Sequence, residues 1–209
     1  MAPNFPMRTQ VGNRRGRTVK RPREPRPPAG PTSGELALTR EEADKLLRTL
    51  AHPRDRALIS LTLATGMRRE DVVGVTMDAL DTERWTVGFY EHKKRRPWKA
   101  SIGGRAKEDL RVWLTVRPRQ SEYLFPSRKA HLSSRQAFNI LQTGLEAAGI
   151  ARRPYHALRG TAVKLMQAAG WSLEQISRQT GDTIRTIQRH YSTPSASEMD
   201  QVADQKPIL

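Results

Sequence analysis

Cysteine is absent from this chain. That excludes disulfide bonds, a thiolate nucleophile and cysteine-ligated zinc together. Long apolar runs are absent too: nothing approaches the ~18 residues of a helix that spans a bilayer. No hydrophobic segment follows the N-terminal basic stretch, so it does not read as a secretory signal. Acids are outnumbered, 21 against 37 Lys and Arg, and the net charge is +16 over 209 residues. The acids are scattered, without the clustering that a metal-dependent nuclease needs. Tyrosines number only four, so each is worth placing. The expectation is an intracellular protein with no metal and no organic cofactor.

What is present is positive charge, and it is unevenly spread. Residues 1–34 hold eight Arg and Lys against one acid, Glu24, which leaves +9 for the remaining 175 residues. A surplus of this size calls for a polyanionic partner, with nucleic acid ahead of an acidic membrane surface. Residues 1–34 are rich in Pro, Arg and Gly and lack apolar periodicity, so they are expected to form a disordered arm. In that arm Arg14, Arg15, Arg17, Lys20 and Arg21 are candidate phosphate contacts.

The body, 35–209, reads as mainly α with a small antiparallel β-sheet. "LTREEADKLL" carries a capping box, Thr39 with Glu42, ahead of an apolar face on Ala43, Leu46, Leu47 and Leu50. Pro53 opens a second helix that is nearly all apolar and therefore central; Gly66 closes it. "RREDVVGVTMDAL" suggests a short third helix. "WTVGFY" (85–90) and "WKASI" (98–102) have strand character, joined by the charged hairpin tip "EHKKRRP". Further helices are expected at about 105–116, from Ser133 to Ala148, and at 156–169, 173–180 and 183–191, with a weak one at 196–204.

Four short stretches carry the chemistry. "TGMRRED" puts Arg68 just past a buried helix. "YHALRG" puts His156 and Arg159 three apart, on one face of a helix. Lys93 and Lys94 ride the hairpin tip, and Tyr191 ends "TGDTIRTIQRHY". Singly, each has a bland explanation as an ion pair, a cap, a solvated turn or a core aromatic. Jointly they are the parts needed to attack a phosphodiester without a metal. Two guanidiniums neutralise a five-coordinate transition state. A phenol of pKa ~10 needs a base or positive potential to become a nucleophile. A lysine protonates the leaving 5′ oxygen.

These stretches resemble the catalytic domain of the tyrosine recombinase (phage integrase) family. "TGMRREDVVGV" is similar to its first-arginine box, "HALRGTAVKLMQAAG" to its His-x-x-Arg box and "TGDTIRTIQRHYS" to its tyrosine box. "YLFPSRKAHLSSRQ" resembles the segment before its last helices. The resemblance runs from about 38 to 200. It implies a site-specific DNA recombinase that works through a 3′-phosphotyrosine and acts as a tetramer on synapsed DNA. Arg68 and Arg159 would clamp the phosphate, His156 would assist and Tyr191 would attack. Lys93, ahead of Lys94, would be the general acid, and Asp71 would support Arg68. Lys94, Arg95, Arg96, Arg185 and Arg189 would touch DNA. The tail from about 193 to 209 would be exchanged between protomers that are monomeric in solution. The protein would be cytoplasmic and nucleoid-associated, or carried by a virus or mobile element.

The chain departs from the family in three ways. Asp182 stands where the family has His or Trp; it could orient an arginine or His156, accept the phenol proton, or cap the next helix. Only the arm precedes the body, with no separate helical core-binding domain, which fits either a minimal single-domain member or a fragment of a larger one. Gly160 replaces a histidine. A competing reading takes "SLEQISRQTGDTIRTIQRHY" as a helix-turn-helix that puts Arg185 and Arg189 in a DNA groove, in a binding module without catalysis.

Overall fold

The start of each helix is written in its first side chains. Thr39 opens α1 (Arg40–Thr49): its hydroxyl accepts from the Glu42 amide at 3.1 Å, and the Glu42 carboxylate accepts from the Thr39 amide at 2.9 Å. Pro53 is the first residue of α2 (Pro53–Thr65), and Gly66 ends it in the left-handed region at φ 66°. A short helix, α3 (Arg69–Val73), follows at once. In this computed structural model the described residues are 32, 34–91, 96–128, 130–191, 200, 203 and 204, with Glu91 and Arg96 described by backbone alone.

Strands β1 (Leu80–Asp81), β2 (Thr86–Glu91) and β3 (Arg96–Ser101) form an antiparallel sheet in that order. Val87 sits opposite both Leu80 and Ala100, and all three are buried, so one face of the sheet joins the core. Then come α4 (Gly104–Val116), α5 (Ser134–Ala147), α6 (Ala157–Ala168), α7 (Leu173–Thr180) and α8 (Ile184–His190). Ser133 and Ser172 cap α5 and α7 with the same reciprocal Ser/Gln box.

α2 is the centre. Residues Ala57 to Leu63 are all buried, so its apolar surface goes right round rather than along one stripe. Such a helix needs neighbours on every side, and α1, α3, α4, α5, α6 and β3 pack on it. Cutting Leu58 or Leu61, each 0% exposed, to alanine is expected to cost about 2–5 kcal/mol. A second, smaller core joins Ala162, Val163 and Met166 of α6 to Ile176, Ile187 and Tyr191.

The structure bears out the mainly helical class with a small antiparallel sheet, and it corrects details. The third helix stops at Val73, because the chain leaves to pair with the segment before α5: Leu124 N–H donates to the Val75 carbonyl at 2.8 Å, and Thr76 bridges Tyr123. The last strand is shifted to Arg96–Ser101; Ile102 lies beyond it, its amide donating to the Trp85 carbonyl at 2.7 Å. Two-residue β1 was not expected. The arm, the hairpin tip with Lys93, Lys94 and Arg95, and nearly all of the 193–209 tail lie outside the described residues.

Candidate active site

Three helix ends meet in space: the end of α2, the start of α6 and the turn between α7 and α8. The left-handed turn at Gly66 sends the chain back, so that Arg68 stands at the N-cap position of α3, its side chain not capping the helix. Tyr155 pins the start of α6 against α2: its buried hydroxyl lies 3.0 Å from Thr62 Oγ1, and burial pushes its phenol well above the ordinary value. Gly181, at φ 76°, ends α7 and brings Asp182 under the same point.

Arg159 is the hub. It is 2% exposed and every nitrogen of its guanidinium is engaged. Nε donates to Asp182 Oδ2 at 2.9 Å and Nη2 to the Thr180 carbonyl at 2.8 Å, while Nη1 donates to the Gly66 carbonyl. Nη2 also lies 2.7 Å from Asp182 Oδ2. The other oxygen, Oδ1, accepts from Arg68 Nη2 at 3.2 Å. One carboxylate, 5% exposed, thus bridges two guanidiniums, one oxygen to each. Burial makes such contacts costly to break from one side.

Asp182 therefore does not cap α8. Thr183 does, accepting from the Thr186 amide at 3.1 Å. Asp182 is held by its backbone instead: its amide donates to Thr180 Oγ1 at 3.2 Å and its carbonyl accepts from Ser177 Oγ at 2.7 Å. Of the readings open for Asp182, orienting the arginines is the one the geometry fits.

Tyr191 is the C-terminal cap of α8 and is 4% exposed. Its hydroxyl lies 3.4 Å from His156 Nε2, long for a hydrogen bond. Burial raises the phenol above its ordinary value, and the Asp182 charge raises it further; the charges on Arg159 and Arg68 pull the other way and are outweighed. His156 stands one residue before α6 and is exposed, whereas Arg159 is buried, so the expected common helix face is only half met.

Arg68, His156 and Arg159 line one recess, with Met67, Glu70 and Phe138 on its wall. Arg68 keeps 18% of its side chain exposed there. Asp71 is buried in α3 just past Arg68. Arg185 and Arg189 are exposed on α8. Lys93, Lys94 and Arg95, like Arg14, Arg15, Arg17, Lys20 and Arg21, lie outside the described residues, and so does the side chain of Arg96.

Gln179 was missed in the sequence. Its Nε2 donates to the carbonyls of Ala64, 3.0 Å, and Ser101, 2.6 Å, and its Oε1 accepts from the Ser101 amide at 3.1 Å. It thereby locks the end of β3 to the end of α2, beside the Arg68 turn. The available signal was its place one residue before Thr180, opening the "TGD" turn; nothing in the pattern said that it faced inward.

The chain is similar to tyrosine recombinase XerA of Thermococcus kodakarensis, 24% identical over 190 residues that make up 88% of this chain and 67% of the relative. Its fold matches a crystal structure of XerA recombinase with TM-score 0.74 at 18% identity, over 88% of this chain and 67% of that one. It also matches XerH site-specific recombinase bound to palindromic difH substrate in a post-cleavage complex, with TM-score 0.66 at 18% identity, over 82% of this chain and 52% of that one. The chain thus spans about two thirds of the XerA relative and about half of the XerH chain. No helix among the described residues is long and apolar enough to cross a membrane. The model of the phage integrase family matches residues 37–198, and the chain belongs to that family.

Proposed function

We propose that this chain cleaves and rejoins DNA as a site-specific recombinase or integrase, through a covalent 3′-phosphotyrosine and without metal or ATP. The observation that carries the reading is one cluster, drawn from three distant stretches, that holds Tyr191, His156, Arg159, Asp182 and Arg68 together. Arg68, partly exposed in the recess, meets the non-bridging phosphate oxygens. Arg159 supports that field from beneath, and Asp182 sets the spacing of the two guanidiniums. The Tyr191 oxygen attacks phosphorus and its proton leaves by way of His156; the P–O5′ bond breaks, and Lys93 protonates the 5′ oxygen. The phosphotyrosine keeps the bond energy, so the reverse attack by a 5′ hydroxyl rejoins the strand. Asp71 supports Arg68.

The partner is double-stranded DNA, and the XerH neighbour above is bound to its difH substrate. Arg185 and Arg189 on α8, the hairpin residues Lys94, Arg95 and Arg96, and the basic arm contact its backbone. Exchange of two duplexes requires four protomers, and the 193–209 tail is the segment proposed to pass between them. We place the protein in the cytoplasm on the nucleoid, or on a mobile element.

A second reading has one observation in its favour. The Asp182 carboxylate cancels part of the clamp's charge and raises the phenol, as expected of a DNA-binding module of the same fold without catalysis. Nicked DNA with a candidate core site, followed by a denaturing gel, separates the two. A covalent protein–DNA band that disappears in Tyr191→Phe is expected. Arg68→Ala should remove the band while DNA affinity falls only modestly. Binding with no band on any duplex would establish the second reading.

A further inference from the structure

Residues 34–38 cross the end of α8 and run onto α6. Gly34 is buried there, and its amide donates to the carbonyl of His190 at 3.1 Å. The last carbonyls of a helix have no partner within the helix. This one is satisfied from the opposite end of the chain. The approach is close: a Cβ on Gly34 would lie 2.7 Å from the His190 carbonyl oxygen and 3.0 Å from Tyr191 Cα. Only glycine allows that contact without a shift. The segment has its own turn, in which the Thr32 hydroxyl accepts from the Glu35 amide, the Glu35 carboxylate accepts from the Thr32 amide, and Leu36 N–H donates to the Thr32 carbonyl. Beyond it, the buried Leu38 amide donates to Thr161 Oγ1 at 2.8 Å and ties the segment to α6.

Among the described residues, the end of α8 is otherwise held by the second core, through Ile187 and Tyr191. The helix is seven residues long, and Ile187 is its one buried residue. Yet Tyr191, the residue after it, must present its oxygen beside His156, where the separation is already 3.4 Å. We infer that Thr32 and residues 34–38 form a strap that positions Tyr191, and that Gly34 is the positioning residue that sets how deep the tyrosine's turn sits. The inference rests on Tyr191 being the nucleophile. A misplacement of about 1 Å costs on the order of a hundredfold in rate when the reacting atom is displaced.

The test uses the full chain with Gly34→Ala and Gly34→Val. Single-turnover adduct formation is measured at saturating nicked DNA, beside the DNA Kd and hydrogen exchange of the α8 amides. Adduct formation is expected to slow about tenfold for alanine and more for valine. The DNA Kd should stay within about twofold, because no phosphate contact is touched. Exchange at the Tyr191 amide should quicken. Wild-type rates in both variants would overturn the inference, and so would folded variants that lose binding and cleavage equally. If the glycine variants do not fold, Thr32→Ala with Glu35→Ala loosens the strap without adding bulk; a severalfold slower adduct is expected, and an unchanged one overturns the strap. If the wild-type protein forms no adduct, the recombinase reading fails. The strap is then judged by exchange alone, and unchanged exchange at Tyr191 in Gly34→Ala overturns it.

Discussion

Asp182 is the residue on which the site's electrostatics turn. Removing it as Asp182→Ala takes from Arg159, 2% exposed, the carboxylate that pairs with it among the described residues. Breaking a buried pair from one side costs about 3–5 kcal/mol, and urea unfolding should read a loss of that order. Asp182→Asn keeps the shape and an acceptor, so its loss is expected to be smaller. It has a second effect, on Tyr191. Burial and then the Asp182 charge hold that phenol above its ordinary value, so the folded state keeps the proton when the unfolded chain has begun to lose it. Stability from this group is present below about pH 10 and falls as pH rises past that value. Adduct formation, which needs the phenol to lose its proton, should climb through the alkaline range. In Asp182→Asn the climb should begin at lower pH, because a cause of the upward shift is gone and the guanidiniums remain. An unmoved climb would mean that the Asp182 charge does not act on Tyr191.

At the scale of elements, Gln179 joins α7 to β3 and α2 through three hydrogen bonds. Gln179→Ala leaves the Ser101 amide and two carbonyls to find other partners, at a cost of about 2–3 kcal/mol. Amide exchange at Ser101 should accelerate with it; protection equal to wild type would show that the sheet is held elsewhere. The elements themselves were largely legible in the sequence, because their signals are local. Thr39 with Glu42, Pro53 and Ser133 mark starts, and Gly66 and Gly181 mark stops, within a few residues of the structure they create. The site residues were legible as types at spacings. Their arrangement was not. The bridge from Asp182 to both arginines, the inward turn of Gln179 and the two-residue β1 depend on partners far along the chain, and no local pattern records a distant partner.

At the scale of the molecule, charge decides how DNA is held. Affinity should fall steeply with salt, since each neutralised phosphate contributes about −0.9 to the slope of log K against log salt. The first 31 residues carry eight of the 37 basic residues. Deleting residues 1–31 should therefore flatten that slope by several units if the arm lies along DNA. A slope equal to that of the full chain would remove the arm from the interface.

The central position of α2 also bears on how the protein is made. Two of the bonds that close its end, Thr62 with Tyr155 and Gly66 with Arg159, each join residues 93 apart. A ribosome synthesises α2 long before it reaches α6, so the face of α2 that α6 covers must wait, uncovered, although α1, α3, β3, α4 and α5 can pack on the helix earlier. The Arg68–Asp182–Arg159 cluster is thus among the last features to form in a nascent chain. Truncated products that stop before residue 157 should be sticky substrates for chaperones and proteases, and should lack Arg159, Asp182 and Tyr191.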